Sequence, residues 1–271
     1  MSTHKNPYAG RLGEFSGIAF DAAAASERKG VWREFFRGSM ERGPERLVFE
    51  VGCSNAGFLA SIAEANPDAA FVGIDWKFKV LFKGAKRVHG MGLKNVALLR
   101  GKAQEISRIF GEDELDEVWV FFPDPWAKKP QLKHRLIQEA FLLDCARVLK
   151  PGGRVFIKTD HPGYFQWMLA LWGAPRPVLP AYDGPVPTER GMRAKQMLVR
   201  KPMDEDQLPN ASAAVCARFE IVRQSIDYAS LSAAELGTLF GGRDTLFEKG
   251  FREQKLPIYF LEVICTAKRS R

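Results

Sequence analysis

Short apolar runs alternate with stretches of helical periodicity between residues 47 and 158, and this alternation constrains the fold more than any other feature. Five runs of four or five residues each are typical of strands buried on both faces: Leu47–Val51, Phe71–Asp75, Val96–Leu99, Val118–Phe122 and Val155–Lys158. Apolar residues recur at helical spacing between them, for example from Leu136 to Leu149. The alternation predicts βαβ units and therefore an α/β, Rossmann-like, doubly wound and mostly parallel sheet.

The C-terminal third changes to a period of two. Residues 217–224 and 257–265 alternate apolar and polar side chains, which predicts two late strands forming an antiparallel hairpin in the same sheet. Residues from about 173 to 214 hold many prolines and charges and little periodicity, which indicates a long insertion. We therefore predict an N-terminal helical arm over residues 1–45, followed by one domain over residues 46–271 that carries this insertion.

The overall charge favours a polyanionic partner. The 271 residues carry a formal net charge of +8, and such a balance suits nucleic acid or an anionic lipid surface. No apolar run approaches the roughly 18 residues of a membrane-spanning helix, and the N-terminus lacks the apolar core of a signal peptide. These features predict a cytoplasmic protein without a membrane segment. The four cysteines form no C-x-x-C pair, so we expect reduced thiols and no metal site.

The turn after the first strand has features of a nucleotide-binding loop. Gly52 ends the strand and permits both a tight turn and close approach of a ligand to the main chain. Asp75 ends the second strand roughly 20 residues later, where a carboxylate suits a ribose diol. This pattern alone fits a nicotinamide cofactor or S-adenosyl-L-methionine. Glu50 favours the second, because its carboxylate would pair with the methionine ammonium group but would repel a pyrophosphate.

The fourth strand runs into the segment Phe121–Lys129, which combines three kinds of chemistry. Asp124 lies between two prolines that hold its backbone, and Trp126 offers a stacking face. Cations follow closely at Lys128, Lys129, Lys133, His134 and Arg135. A carboxylate, an aromatic face and phosphate-binding cations together suit a nucleobase turned out of a polynucleotide. The alternative is a proline-rich turn followed by a solvated run of charges.

Segment Phe121–Lys129 resembles the signature of the bacterial tRNA (guanine-N7)-methyltransferases, the TrmB family. The similarity extends over about residues 45–160 and resumes over about residues 244–261. It implies the class I methyltransferase fold, S-adenosyl-L-methionine as methyl donor and tRNA as partner. It also implies methylation at N7 of a guanine, in the variable loop.

The resemblance also implies roles for individual residues. Asp124 would be the catalytic residue and would contact both donor and target. The other donor-binding positions would be Glu50, Gly52, Asp75, Lys102 and Ala103. Lys102 stands where the family has an acidic residue, so the Ala103 backbone is the alternative contact to the adenine. The substrate nucleotide would be contacted by Lys128, Asp160, Thr245 and Glu248. Apart from the resemblance, the charges themselves suggest that phosphates would be neutralised by Lys128, Lys129, Lys133 and Arg135.

Other functions remain open from the residues alone. A methyltransferase acting on another RNA or on a small molecule would use the same donor half, although the cations beside Asp124 argue against a small molecule. A non-catalytic RNA-binding module is a second alternative, because Ser54, Ala56 and Lys102 depart from the expected donor loop. A nicotinamide dehydrogenase is a third, but His161 has no evident catalytic partner. The sequence does not distinguish a monomer from a homodimer.

Overall fold

A computed structural model describes residues 6–188, 191–232, 234–235 and 239–266. The chain divides into two compact units. The first comprises residues 1–119 and 147–153, and the second comprises residues 120–146 and 154–271.

The first unit is built on parallel strands. In strand order β1-β4-β3-β2-β5 these are β1 (Ala19–Phe20), β4 (Val96–Arg100), β3 (Ala69–Asp75), β2 (Arg46–Val51) and the first residues of β5 (Leu115–Phe121). The pairs β1/β4, β4/β3 and β3/β2 are parallel. The unit's helices are α1 (Ala22–Ser26), α2 (Trp32–Arg37), α3 (Gly57–Ala65), α4 (Phe78–Gly90) and α5 (Ile106–Ile109), with short 3-10 helices at Gly10–Phe15 and Ala103–Glu105.

The N-terminal residues are part of the core of the first unit. The indole of Trp32, on α2, is fully buried and donates a hydrogen bond to the Ile109 carbonyl at 3.0 Å. The Glu114 carboxylate accepts from the backbone N–H groups of Gly30 at 2.9 Å and Trp32 at 2.7 Å. Residues 1–45, predicted as a helical arm, therefore contain short helices and also the strand β1, which pairs with β4.

The second unit contains the antiparallel strands. Its sheet runs in the order β6 (Leu149–Thr159), β10 (Tyr259–Cys265) and β9 (Phe219–Ser225). Both neighbouring pairs are antiparallel, with Lys158 opposite Phe260. The helices are α6 (Glu139–Val148), α7 (Pro162–Leu171), α8 (Ala213–Cys216) and α9 (Leu246–Glu253), with 3-10 helices at Lys129–His134, Glu205–Gln207, Tyr228–Ser230 and Phe240–Gly242.

Parallel pairing in the first unit and antiparallel pairing in the second confirm the predicted α/β class with a C-terminal antiparallel hairpin. Each of the seven predicted strands is present within a few residues of its expected bounds. Buried runs and alternating runs are local features of the sequence, so strands can be predicted from them without knowledge of the tertiary contacts.

The stretch predicted as an irregular insertion contains a two-stranded hairpin. Strands β7 (Tyr182–Thr188) and β8 (Gly191–Arg200) are antiparallel, with Tyr182 opposite Arg200 and a register shift between Pro185 and Val186. Prolines ordinarily argue against a strand, because they cannot donate to the ladder. In a two-stranded sheet, each strand has a free edge that accommodates prolines. The hairpin was therefore missed because a composition that argues against strands is still compatible with this one.

Two further observations concern membrane spans and metal sites. Within the described part of the chain, no helix is both long and apolar enough to cross a membrane. Within the same residues, no group of three or more His, Cys, Asp and Glu side chains could hold a metal ion.

Candidate active site

The loop after β2 has three residues in the left-handed conformation that favours glycine, and only one of the three is a glycine. Gly52 has φ +76°, and the non-glycine residues Ser54 and Ala56 have φ +50° and +51°. The N–H groups of Gly52 and Cys53 both donate to the Ile74 carbonyl, at 2.8 and 3.0 Å. A Cβ added at Gly52 would meet no atom within 4 Å, so the main chain there is open to a ligand. The loop conformation is thus kept where Ser54 and Ala56 replace the usual glycines.

Asp75 lies at the carboxyl end of β3 and is tied to the same loop. Its Oδ2 accepts from the Ser54 N–H at 3.2 Å, and its Oδ1 accepts from the Lys77 N–H at 2.8 Å. Burial raises the pKa of Asp75, while the backbone N–H bonds and the Lys77 charge oppose that rise. The carboxylate is half-buried, and each oxygen can accept a further bond. These properties fit the two vicinal hydroxyls of a ribose.

Glu50 and Gly73 show how tightly the residues around the predicted donor-binding loop are packed. Glu50 is 5% exposed and lies opposite Gly73 in the β2/β3 register. A Cβ at Gly73 would lie 2.8 Å from the Cys53 Cβ, so only glycine fits beneath the loop. Burial raises the pKa of the Cys53 thiol, and the carboxylates of Glu50 and Asp75 raise it further. The structure therefore brings Glu50 and Asp75 near the same buried thiol.

The third predicted donor contact follows β4. Asp75 lies opposite Arg100 in the β3/β4 register, and Lys102 and Ala103 come just after that strand ends. The Lys102 side chain is exposed, whereas Ala103 is 9% exposed. The carboxyl ends of β2, β3 and β4 thus carry all the predicted donor-binding positions of the first unit, at one edge of its parallel strands.

In the second unit, Asp124 lies in a strained loop that follows β5. The flanking residues Phe122 and Trp126 have φ +53° and +41°, a left-handed conformation that costs a non-glycine residue about 1–3 kcal/mol. The Phe122 N–H donates to the Lys158 carbonyl at 2.8 Å, and its ring stacks on Phe247 at 5.4 Å. The Asp124 side chain is exposed. The loop is therefore held at its start while its carboxylate remains available to a ligand.

The cations that follow Asp124 fall into two groups. Four side chains are exposed: Lys128, Lys129, Lys133 and His134. Arg135 differs, because it is 3% exposed and its Nε donates to the Pro125 carbonyl at 2.8 Å. This burial argues against the direct phosphate contact predicted for Arg135. The Trp126 ring, 36% exposed, packs against His134 at 5.3 Å between centroids.

Asp160 is engaged by the base of the β7/β8 hairpin. Its carboxylate forms an ion pair with Arg200, whose side chain is 1% exposed. The Tyr182 hydroxyl donates to the Asp160 main-chain carbonyl. Because Tyr182 and Arg200 are cross-strand neighbours, both strands of the hairpin hold the same residue. The sequence offered no signal for Arg200, since it lies in the segment without periodicity.

Thr245 and Glu248 form a capping box at the start of α9. The Thr245 hydroxyl accepts from the Glu248 N–H at 3.1 Å, and Glu248 Oε2 accepts from the Thr245 N–H at 2.7 Å. Glu248 is fully buried, and its Oε1 lies 2.6 Å from Lys158 Nζ. Both carboxylate oxygens of Glu248 are thus already engaged within the chain. The predicted contact of Glu248 with a substrate stays a prediction.

Lys158 is a residue that the sequence did not single out for a role. Its Nζ lies 3.9 Å from the Tyr228 ring centroid, 4.3 Å from that of Phe240 and 4.8 Å from that of Phe121. Burial lowers the pKa of Lys158, and the Glu248 carboxylate opposes that change. The available signal was that Lys158 ends the apolar run Val155–Lys158, now part of β6, because a lysine in a buried strand needs a partner.

Comparison with known proteins places this chain among methyltransferases. A family model described as "Putative methyltransferase" matches residues 44–176. A tRNA (guanine-N(7)-)-methyltransferase from Bdellovibrio bacteriovorus is 35% identical over 158 residues, which cover 58% of this chain and 74% of that protein. A protein of the same name from Christiangramia forsetii is 38% identical over 146 residues, which cover 54% of this chain and 63% of that protein.

The length of the match varies among relatives. A bifunctional glycosyltransferase/methyltransferase from Fusobacterium nucleatum subsp. nucleatum is 32% identical over 154 residues, which cover 57% of this chain and 23% of that protein. The matched region therefore spans between 23% and 74% of the length of these three relatives.

Two solved structures that match this chain are distant from it in sequence. The antibiotic-resistance methyltransferase Kmr is 16% identical, with a TM-score of 0.49, over 87% of this chain and 92% of that one. The aminoglycoside resistance methyltransferase NpmB1 is 18% identical, with the same TM-score of 0.49, over 86% of this chain and 93% of that one. At this similarity neither structure bears on the substrate of this chain.

Proposed function

The chain belongs to the tRNA (guanine-N(7)-)-methyltransferase family, and we propose that it transfers the methyl group of S-adenosyl-L-methionine to N7 of a guanine in the tRNA variable loop. The observation that carries this proposal is the Asp124 loop, with an exposed carboxylate between two prolines and exposed lysines following it. A tRNA substrate also fits the predicted cytoplasmic location.

The donor half of the first unit supports binding of S-adenosyl-L-methionine. Asp75 would accept hydrogen bonds from the ribose hydroxyls, and Glu50 would pair with the methionine ammonium group. The open main chain at Gly52 would let the donor approach the loop closely. Ala103 is the better candidate for the adenine contact, because the exposed Lys102 side chain can turn into solvent.

The chemistry requires positioning and charge stabilisation more than proton transfer. S-adenosyl-L-methionine supplies an electrophilic methyl group bonded to a sulfonium sulfur. Guanine N7 carries an exposed lone pair, so its attack on the methyl carbon needs no prior deprotonation. The bonding electrons leave with the sulfur, and the base becomes positively charged. Asp124 would stabilise that charge and accept hydrogen bonds from the guanine N1 and N2 donors, which would select guanine over adenine.

The exposed cations would bring the RNA to this carboxylate. Lys128, Lys129 and Lys133 lie within nine residues of Asp124 and are solvent-accessible, as phosphate contacts must be. The Trp126 face would stack against a base that has been turned out of the RNA. Asp160 and Thr245 remain proposed contacts to the substrate nucleotide.

The direct test is to incubate the protein with labelled methyl donor and unmodified tRNA, then to cleave the product chemically at 7-methylguanine. We expect a single cleavage site in the variable loop. Label at another base or in another RNA class would overturn the proposed methylation of guanine N7 in tRNA. It would support the alternative that the protein methylates another RNA site. Binding of tRNA without any donor binding in calorimetry would instead indicate a non-catalytic RNA-binding protein.

A further inference from the structure

Arg135 stands apart from the cations around it because it is enclosed by aromatic side chains. Its guanidinium carbon lies 4.7 Å from the Tyr164 ring centroid and 4.8 Å from that of Trp167. Only 3% of the residue is exposed, and burial lowers its pKa to about 10. A guanidinium retained in such a place needs compensating contacts, which two ring faces supply in part.

The two rings that enclose Arg135 are themselves fixed. The Tyr164 hydroxyl accepts a hydrogen bond from the Ile137 N–H at 2.9 Å. The Trp167 indole donates to the Ile137 carbonyl at 3.0 Å. Both rings project from α7 and are anchored on a residue only two positions after Arg135. The planar guanidinium is therefore held in one orientation.

That orientation directs the guanidinium to the Asp124 loop. Arg135 Nε donates to the Pro125 carbonyl at 2.8 Å, and Nη1 lies 3.0 Å from Met203 Sδ. Nη2 is buried and has no hydrogen-bond partner among the described residues. A phosphate contact would require the exposure that Lys133, two residues earlier, has and Arg135 lacks.

The loop that Arg135 contacts needs clamps at both ends. Phe122 and Trp126 are non-glycine residues with positive φ, on either side of Pro123-Asp124-Pro125. The Phe122 N–H bond to the Lys158 carbonyl holds the start of the loop. The Arg135 bond to the Pro125 carbonyl holds its end, one residue after Asp124 and one before the second strained position.

We propose that Arg135 is a positioning residue for the Asp124 carboxylate, acting through the Pro125 carbonyl, and that it does not bind phosphate. This inference rests on the proposed methyl transfer to tRNA. Loss of the guanidinium would let the loop relax, so that the carboxylate would no longer be fixed where the positive charge develops on guanine.

The test compares Arg135→Gln with the matched control Lys133→Ala, using tRNA binding at several salt concentrations and single-turnover methylation at saturating tRNA. Arg135→Gln removes both the charge and the planar guanidinium, so a lost phosphate contact would appear in the salt slope. We expect it to lower the methylation rate by about tenfold or more and to leave the salt slope of tRNA binding unchanged. Lys133→Ala should weaken binding and flatten that slope by about 0.7–0.9, the change for one phosphate contact.

A second variant guards against misfolding of the first. Trp167→Phe keeps an aromatic face for Arg135 but loses the bond to the Ile137 carbonyl. It should lower the methylation rate by a smaller factor, again without changing the salt slope. Two outcomes would overturn the inference: a flattened slope with a normal rate in Arg135→Gln, or normal rates in both variants. If the wild-type protein does not methylate tRNA, the proposed function fails, whereas the salt slopes still report whether Arg135 contacts phosphate.

Discussion

Asp124 acts, in the proposed function, as a fixed negative charge and hydrogen-bond acceptor, not as a general base. The exposed carboxylate lies between two prolines, in a loop bounded by the left-handed residues Phe122 and Trp126. Guanine N7 has no proton to lose, so the useful property of Asp124 is the position of its charge. A residue with this task must be held by its surroundings, and the contacts of Phe122 and Pro125 do so.

Replacing Asp124 with asparagine tests this role. Asp124→Asn keeps the size and one acceptor oxygen but removes the charge that stabilises the methylated base. We expect tRNA affinity within about twofold of wild type and a methylation rate lower by roughly 100-fold, or about 3 kcal/mol of transition-state stabilisation. Single-turnover kinetics and tRNA binding measure the two quantities separately. Wild-type turnover by this variant would contradict the assignment of Asp124.

Ser54 gives a prediction about stability at the donor loop. It is held at φ +50°, where glycine carries no steric cost. We expect Ser54→Gly to stabilise the protein by about 0.5–1 kcal/mol, because relief of strain outweighs the added freedom of the unfolded chain. The matched control is Ser61→Gly, within α3, which should destabilise by about 0.5 kcal/mol. Urea unfolding distinguishes the two signs, and a loss of stability in Ser54→Gly would show that the loop is not strained there.

At the scale of elements, a buried ion pair joins strand β6 to helix α9. Lys158 projects from the strand and Glu248 from the first turn of the helix, and both side chains are fully buried. Glu248 also caps its own helix through the Thr245 N–H. One carboxylate thus fixes both the start of the helix and its attachment to the strand.

Breaking this pair should cost far more than breaking a surface pair. Lys158→Met would leave the Glu248 charge buried without its partner, and we expect a loss of about 3–5 kcal/mol in the free energy of unfolding. Adding Glu248→Gln to that variant should recover part of the loss, because the amide can still cap the helix without carrying a charge. Arg176→Ala, which breaks the exposed Arg176–Glu205 pair, is the control and should cost less than about 1 kcal/mol. Equal losses in the two single variants would contradict the buried pair's role.

The elements themselves could mostly be predicted from the sequence, whereas several of their contacts could not. Strands β2 to β6 follow from buried apolar runs, and β9 and β10 follow from alternation. The β7/β8 hairpin was missed because its prolines mask the strand signal. The Arg200–Asp160 pair was missed for a different reason: it joins residues 40 positions apart, and no local pattern reports which arginine lies near a given carboxylate.

At the scale of the whole molecule, the net charge of +8 supports a polyanionic substrate but does not locate its docking surface. The side chains of Lys128, Lys129 and Lys133, which follow Asp124 and are exposed, form the docking surface that we propose for tRNA. Lys129 lies 3.2 Å from the exposed Asp206 carboxylate, a pair that solvent screens and that a phosphate could replace.

Binding of tRNA should therefore weaken steeply with salt. Three phosphate contacts predict a slope of about −2.1 to −2.7 in a plot of log affinity against log salt concentration. A rise from 50 to 200 mM salt would then lower affinity by roughly 20- to 40-fold. Fluorescence anisotropy with labelled tRNA measures the slope, and the triple variant with alanine at Lys128, Lys129 and Lys133 should lose most of it. A salt-independent affinity would argue against this docking surface.

The sequence by itself determined the fold class, the order of the main strands and the position of the Asp124 segment, because these depend on periodicity and on residues adjacent in the chain. Tertiary structure alone decided which charged groups can face a ligand. Arg135 and Lys133 look equivalent in the sequence, yet the rings of Tyr164 and Trp167, some 30 residues later, cover only Arg135. The sequence likewise gives no sign that Glu248 has a partner, whereas the structure pairs it with Lys158 of β6. Burial depends on distant segments, and a local pattern contains no information about them.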